Sequence, residues 1–215
     1  MKKLFSIIIL GLFILPINSQ TRIFGFADTI YYIKPISYYF LISSNKEFKP
    51  DSSMSNRNVK CLNEGYKSFF SNRINVKELE YDLITDTCAL SDLRNMFNYT
   101  SWKSIEVMPP LFCLDSIFNQ VNSNYILLSL SSGFTRTKEN YRSSMAKGFF
   151  ISALTLGSYV SVPYESTIDL RVVLFNKQTR QIILSNNCKM VDCDPDGQKD
   201  IDDQIRKVFK PAFGK

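Results

Sequence analysis

Residues 168–184 read Ile-Asp-Leu-Arg-Val-Val-Leu-Phe-Asn-Lys-Gln-Thr-Arg-Gln-Ile-Ile-Leu, and this stretch decides the fold. Aliphatic residues recur at every second position of its first half, which is typical of a strand with one buried face: Ile168, Leu170, Val172 and Leu174. Residues 176–179 have the composition of a turn, and residues 181–185 return as a second strand. The stretch therefore predicts a β-hairpin late in the chain.

A helix and a strand are expected immediately before this hairpin region. Residues 111–121 carry an apolar stripe at helical spacing and open at Pro109-Pro110, a position that tolerates proline. Residues 125–131, Tyr-Ile-Leu-Leu-Ser-Leu-Ser, form a short apolar run that is typical of a buried strand. The chain therefore alternates helical and extended segments around the hairpin.

The same patterns extend to both ends of the chain. They predict strands over residues 36–43 and 74–83, and helices over residues 54–72 and 88–97. A final amphipathic helix around residues 201–209 is expected to end at Pro211. Each helix has one apolar stripe to bury. The fold class is therefore α/β (α+β), a mixed β-sheet flanked by helices with a late β-hairpin and an apolar insertion.

The first nineteen residues have the layout of a secretory signal peptide. Lys2 and Lys3 precede an apolar run over residues 4–15, and Ser19 closes the segment. The run is too short to span a bilayer. We predict cleavage after Ser19 and a single exported α/β domain over residues 20–215, which is periplasmic, associated with the outer membrane or secreted. Gln20 rather than a cysteine stands directly after the predicted cleavage site, so the attachment pattern of bacterial lipoproteins is missing.

Composition argues against nucleic-acid binding and against catalysis. Without Lys2 and Lys3 the chain keeps 24 basic and 20 acidic residues, and the basic ones are scattered rather than arranged in a stripe. The chain has no histidine, which removes the commonest general base and zinc ligand. We expect a protein that is not an enzyme, does not bind nucleic acid and has no assigned catalytic, cofactor or metal-binding residue.

The five cysteines are expected to pair in part, because an exported chain meets an oxidising compartment. Cys188 and Cys193 are the closest two in sequence, and a bridge between them is one expected pairing. The remaining pairings stay open among Cys61, Cys88 and Cys113. At least one cysteine is left over, and a free cysteine often behaves as a small buried apolar residue.

The order of elements resembles the amino-terminal domain of TolB and the periplasmic domain of the curli-secretion lipoprotein. The resemblance is architectural and covers roughly residues 36–212. It is carried by the helix over residues 111–121 that leads into the strand at residues 125–131, by the hairpin at residues 168–184, and by the closing helix. It implies a non-catalytic envelope protein that binds other proteins, and it carries over no functional residue.

An insertion over residues 133–165 begins basic and then becomes apolar. No charged residue stands between Lys147 and Glu165. Three interpretations of residues 149–162 remain open. The segment is a helix packed inside the fold, a docking surface for a protein partner, or a contact with a membrane, and short apolar runs are most often core.

The segment Asp192-Cys-Asp-Pro-Asp-Gly-Gln-Lys-Asp-Ile-Asp-Asp203, called the acidic loop below, has the spacing of a calcium-binding loop. The carboxylates at its positions 1, 3, 5, 9 and 12 would be the ligands: Asp192, Asp194, Asp196, Asp200 and Asp203. The simpler interpretation is that Asp194 caps the last helix and that Pro195 occupies its first position. A calcium-binding secreted module is therefore the alternative function, with calcium as its cofactor.

Aromatic residues cluster near the amino-terminal end of the expected domain. Tyr31, Tyr32, Tyr38, Tyr39 and Phe40 suit strand and core positions, although exposed aromatic residues can also bind sugars or a partner. The sequence as a whole favours an exported envelope protein that recognises a protein partner through the apolar insertion and a sheet edge. Self-association into a homo-oligomer is compatible with the same features.

Overall fold

The computed structural model describes residues 29–102, 108–156, 158 and 162–213. The expected signal peptide and its cleavage site lie outside the described residues, and so do residues 157 and 159–161 of the apolar insertion. No helix within the described part of the chain is both long enough and apolar enough to cross a membrane.

Seven strands form one mixed sheet in the described chain: β1 Thr29–Ile33, β2 Ile36–Ile42, β3 Phe48–Pro50, β4 Asn75–Leu79, β5 Tyr125–Arg136, β6 Ser166–Asn176 and β7 Gln181–Val191. The long strand β5 is central. It pairs in parallel with β1 and β2 along one edge and antiparallel with β6 along the other. The predicted hairpin is confirmed as β6–β7, and the predicted mixed sheet flanked by helices is confirmed.

Five described helices accompany the sheet: α1 Ser52–Phe70, α2 Thr87–Trp102, α3 Phe112–Phe118, α4 Lys138–Leu154 and α5 Gln198–Phe213. Helices α1 and α5 pack on one face of the sheet and on each other, whereas α2 and α3 cover part of the other face. Helix α4 follows β5 directly and belongs to neither packed layer.

The first face contains an aromatic core between the sheet and the two helices. Tyr66 of α1 makes edge-to-face contacts with Tyr32 and Phe209, at centroid distances of 5.7 and 6.1 Å. A buried polar contact fixes the helices to the same face, because Asn58 accepts from Ser37 and donates to the carbonyl of Pro195. Such satisfied polar groups specify one arrangement of α1 against the segment that precedes α5.

Gly133 in β5 allows a close approach that no other residue permits. A Cβ atom at this position would lie 1.9 Å from the carbonyl oxygen of Thr167 and 2.8 Å from the ring of Tyr39. Because the first of these neighbours is backbone, it cannot rotate away. Gly133 therefore lets β5 continue past the core towards α4.

Several boundaries differ from the sequence prediction. β1 and β3 were not predicted, and β5 and β7 are longer than expected because their outer ends are polar. Helix α5 continues to Phe213 instead of ending at Pro211, so that expectation was wrong. Phe213 packs against Phe209 and Phe69, at centroid distances of 5.9 and 6.1 Å, and this packing holds the last turn despite the proline.

Candidate functional site

Helix α4 is anchored at its base by a polar network. Thr137 caps the helix by accepting from the backbone N–H of Asn140, and the buried Asn140 donates to the carbonyl of Ser43 at 2.6 Å. Arg136 donates to Asn140 Oδ1 at 2.7 Å and to the carbonyl of Tyr164 at 2.9 Å. These bonds join the two ends of the insertion to Ser43, the residue that follows β2, so α4 leaves the sheet from a fixed point.

The far end of α4 exposes its apolar side chains. The exposed fractions are 70% for Phe149, 66% for Phe150, 69% for Leu154 and 94% for Leu156, and Ile151 is also exposed. We call these five residues the apolar tip. The only buried residues on α4 are Asn140 and Gly148, so the helix contributes almost nothing to the core.

This exposure overturns the interpretation of the segment as core. The periodicity of an inward stripe is absent, since apolar and small residues follow one another around the whole end of the helix. The described part of residues 149–162 is therefore a surface, and docking or membrane contact remain as its functions. An exposed apolar surface of this kind is typical of a contact site.

The apolar tip lies at the upper end of the size range of apolar surface patches on monomeric proteins. Aromatic side chains present roughly 200 Å² each when fully exposed, so the five residues together expose on the order of 600 Å². The largest apolar patch on a typical monomer measures about 300–600 Å², and a standard interface covers about 800 Å² on each partner. The apolar tip therefore supplies most of one side of an ordinary protein–protein interface.

The amino-terminal aromatic residues divide between core and surface. Tyr32 and Tyr39 are buried, which confirms the core expectation for these two, and burial raises the pKa of both phenols. Tyr38 and Phe40 point to the opposite face of β2 and are exposed. β3, which borders β2, is short and carries Lys49 and Pro50, features that protect a sheet edge from pairing with another chain.

Several carboxylates of the acidic loop accept hydrogen bonds or form ion pairs with other groups of the same chain. The backbone N–H of Glu165 donates to Asp192 at 2.7 Å, and Asp196 forms an ion pair with Arg57 of α1. Asp200 accepts from the backbone N–H of Asp194 at 2.8 Å. These contacts tie the loop to the insertion and to α1.

Two of these carboxylates influence each other. The pKa of Asp194 is raised by its contact with Asp196 and by partial burial, and the pKa of Asp196 is lowered by the same contact and by Arg57. The prediction that Asp194 caps the last helix and that Pro195 occupies its first position is wrong, because α5 begins at Gln198. The side chain of Asp194 instead accepts from the backbone N–H of Asp196.

Of the five carboxylates predicted as calcium ligands, Asp194 and Asp196 are in contact, but the structure does not bring three of the five together. Among the described residues, the group whose possible ligand atoms lie within 4.8 Å of one another consists of Cys88, Asp92 and Cys113. No such group of three lies within the acidic loop. The acidic loop therefore acts in this structure as a connection between β7 and α5, and its geometry gives no support to the calcium alternative.

The cysteines pair differently from the expected bridge. Cys88 of α2 and Cys113 of α3 form a disulfide with a Cα–Cα distance of 5.9 Å, whereas Cys188 and Cys193 are free, as is Cys61. Between Cys188 and Cys193 lies Asp192, whose backbone is in the left-handed region (φ 52°). Both cysteines pack against the core between the sheet and the helices α1 and α5. Burial raises the pKa of Cys193 to about 11, so its thiol stays protonated at neutral pH.

Asp92 is a structural residue that the sequence did not single out. Its carboxylate accepts from the backbone N–H groups of Cys113 and Leu114, at 2.8 and 3.2 Å. It thereby satisfies the amino-terminal end of α3, whose own N-cap residue, Leu111, has no side-chain acceptor. The grouping of Asp92 with the two bridged cysteines is therefore a helix cap beside a disulfide.

The fold belongs to the class of α+β proteins with a mixed sheet covered unequally by helices. No family model matches the chain, and no curated protein sequence matches it. Among solved structures, the chain is similar to the PelC dodecamer from Paraburkholderia phytofirmans, with 9% identity, a TM-score of 0.39, and 89% of this chain and 91% of that chain covered.

Two further similar structures come from other bacteria. Lipoprotein GNA1162 from Neisseria meningitidis shows 8% identity and a TM-score of 0.32, with 76% of this chain and 79% of that chain covered. The LpoB C-terminal domain from Salmonella enterica shows 11% identity and a TM-score of 0.31, with 77% and 84% covered. The chain is thus similar in general build to these three bacterial structures.

Proposed function

We propose that the protein is an exported, non-catalytic component of the cell envelope that binds a protein partner through the apolar tip of α4. The observation that carries the proposal is the combination of a fixed base and an exposed apolar end on one helix. Burying about 600 Å² of apolar surface contributes on the order of 15 kcal/mol before the cost of association. That cost is about 4–15 kcal/mol, so the net gain lies between about 0 and 11 kcal/mol and depends on how closely the partner fits the apolar tip.

Export is supported by two independent features. The first nineteen residues have the layout of a signal peptide. The Cys88–Cys113 disulfide is of the kind that persists in oxidising compartments and is rare in the cytosol. Absence of catalysis is supported by the chain's lack of histidine, the side chain that most often serves as general acid or base.

A protein partner suits the apolar tip better than a bilayer does. Seven residues of helix, from Gly148 to the end of α4 at Leu154, extend about 10 Å, which is well short of the hydrocarbon core. Ser152 and Thr155 interrupt the apolar residues with hydroxyl groups, and that of Thr155 donates to the carbonyl of Ile151 at 2.9 Å. The aromatic pair Phe149 and Phe150 is typical of residues that dominate binding energy at protein interfaces.

The test is site-specific photo-cross-linking in the organism that produces the protein. A photoreactive phenylalanine analogue replaces Phe150, and the control carries it at Phe112, which is equally aromatic and exposed but lies on α3. The proposal expects one dominant protein adduct from position 150 that the control does not give. A second copy of this chain as the adduct identifies self-assembly as the form of the complex. Adducts to lipid alone, or the same adducts from both positions, refute the proposal.

The contribution of the apolar tip to binding is measured with the purified protein and the purified partner that cross-linking identifies. Phe149→Glu/Phe150→Glu places two charges in the interface and should weaken binding about 1,000-fold, since two central aromatic residues each contribute at least about 2 kcal/mol. The matched control Phe112→Glu should leave the dissociation constant unchanged. An unchanged dissociation constant for the double variant contradicts the assignment of the apolar tip as the binding surface.

A further inference from the structure

A cleft between α1 and α5 lies apart from the apolar tip and has a volume of about 480 Å³. Its lining includes four basic side chains, namely Arg73 from the turn after α1 and Arg206, Lys207 and Lys210 from α5. A volume of this size is typical of sites that hold a small molecule or a headgroup. The cleft is not used by the proposed binding function.

The walls of the cleft are held by close packing. Gly65 of α1 faces α5 so closely that a Cβ atom there would lie 2.4 Å from the Cδ1 atom of Ile205. Phe69 stacks on Phe209 with their ring centroids 5.4 Å apart. The guanidinium of Arg73 lies 4.5 Å from the centroid of the Phe69 ring. The cleft is therefore a preformed feature of the α1–α5 contact, with an aromatic side and a cationic rim.

The positive charge of the cleft exceeds what the neighbouring groups balance. One acid, Asp202, lines it, and Gln198 donates to that carboxylate at 2.8 Å. The carboxyl ends of α1 and α5 lie nearby and contribute about half a negative charge each. Four basic side chains against these groups and Asp203, which pairs with Arg206, leave an excess of roughly one positive charge, which favours an anion.

The neighbouring groups of α5 do not remove this excess. Arg206 pairs with Asp203 at 3.4 Å, but both side chains are exposed and such pairs are weak. Lys67 lies with Arg73 on an adjoining hollow and adds to the positive charge. Arginine binds phosphate through paired N–H groups and lysine binds it as a point charge, so the side chains present match a phosphate group.

We propose that this cleft binds a phosphate-bearing anion between Arg73, Arg206 and Lys210. The phosphate lies on the cationic rim, and the apolar part of the ligand lies against Phe69. A lipid headgroup and a soluble phosphate ester share this chemistry, and the experiment distinguishes them.

Two measurements on the full exported chain test the proposal. Calorimetric titration with inorganic pyrophosphate examines a soluble anion, and flotation with phosphatidylglycerol vesicles, against phosphatidylcholine vesicles, examines a headgroup. Arg206→Glu/Lys210→Glu reverses two exposed charges of the cleft, and Lys138→Glu/Lys147→Glu makes the same change on α4 as the control. Circular dichroism confirms that both variants are folded.

The proposal expects binding of pyrophosphate with a dissociation constant below about 1 mM, or selective binding of phosphatidylglycerol vesicles, or both. In either arm the cleft variant should lose at least about tenfold in affinity, because contacts between charged groups are reversed, whereas the control keeps wild-type affinity. Vesicle binding without pyrophosphate binding identifies a headgroup. No binding in either arm, or equal losses in the cleft variant and the control, overturns the proposal.

Discussion

Removing the Cys88–Cys113 disulfide should destabilise the protein by about 3.5 kcal/mol. The two cysteines are 25 residues apart, and cross-linking a loop of that length lowers the entropy of the unfolded chain by this amount. For a chain of this size, each kcal/mol corresponds to roughly 2–4 °C. Cys88→Ser/Cys113→Ser should therefore lower the melting temperature by roughly 7–14 °C.

The assay is equilibrium urea unfolding followed by circular dichroism. The matched control is Cys61→Ser/Cys188→Ser, which removes two free, half-buried thiols. The control should change the free energy of unfolding by much less than the disulfide variant does. Peptide mapping of the unreduced protein adds a direct check, with the Cys88–Cys113 bridge expected intact. Equal unfolding midpoints for wild type and Cys88→Ser/Cys113→Ser, or a mapped Cys188–Cys193 bridge, would refute the reasoning.

Three other changes have predicted outcomes. Gly133→Ala should cost about 1–3 kcal/mol of stability in urea unfolding, because its Cβ atom meets the carbonyl of Thr167, whereas Ser132→Ala should be nearly neutral. Asp194→Asn should raise the free energy of unfolding at pH 7, because the pKa of Asp194 is raised beside Asp196 and its ionised form opposes folding; the gain should vanish below about pH 4, where the carboxyl is protonated in both states. Millimolar calcium, compared with chelator, should leave the melting temperature unchanged, since the acidic loop does not gather its carboxylates; a saturable upward shift would restore the calcium alternative.

The parts of the fold that were predictable carry strong periodicity. The first half of β6 alternates apolar and polar positions, with Ile168 and Leu170 buried in the core that contains α5, and the apolar stripe of α1 predicted its position to within two residues. β3 has three exposed residues and thus no pattern to detect. Pro211 suggested a helix end, but contacts of Phe213 with α1 outweigh the lost backbone bond.

The exposure of the apolar tip was only partly predictable, because it depends on how α4 is placed relative to the rest of the fold. The charge-free run after Lys147 is visible in the sequence, yet composition alone cannot distinguish a buried helix from an exposed one. The decisive information is tertiary, namely that Arg136 and Asn140 hold α4 at its base while Phe149, Phe150 and Leu154 at its other end are exposed. The disulfide was likewise hidden, because Cys88 and Cys113 come together only when α2 packs on α3.

The free energy of unfolding of Phe149→Glu/Phe150→Glu tests the central claim most directly, because it asks whether the apolar tip is surface or core. Exposed side chains away from special features change stability by no more than about 0.5 kcal/mol each. We therefore expect a total change within about 1 kcal/mol of wild type. A loss of more than about 3 kcal/mol, as for buried phenylalanines, would place the end of α4 in the core and contradict its assignment as the binding surface.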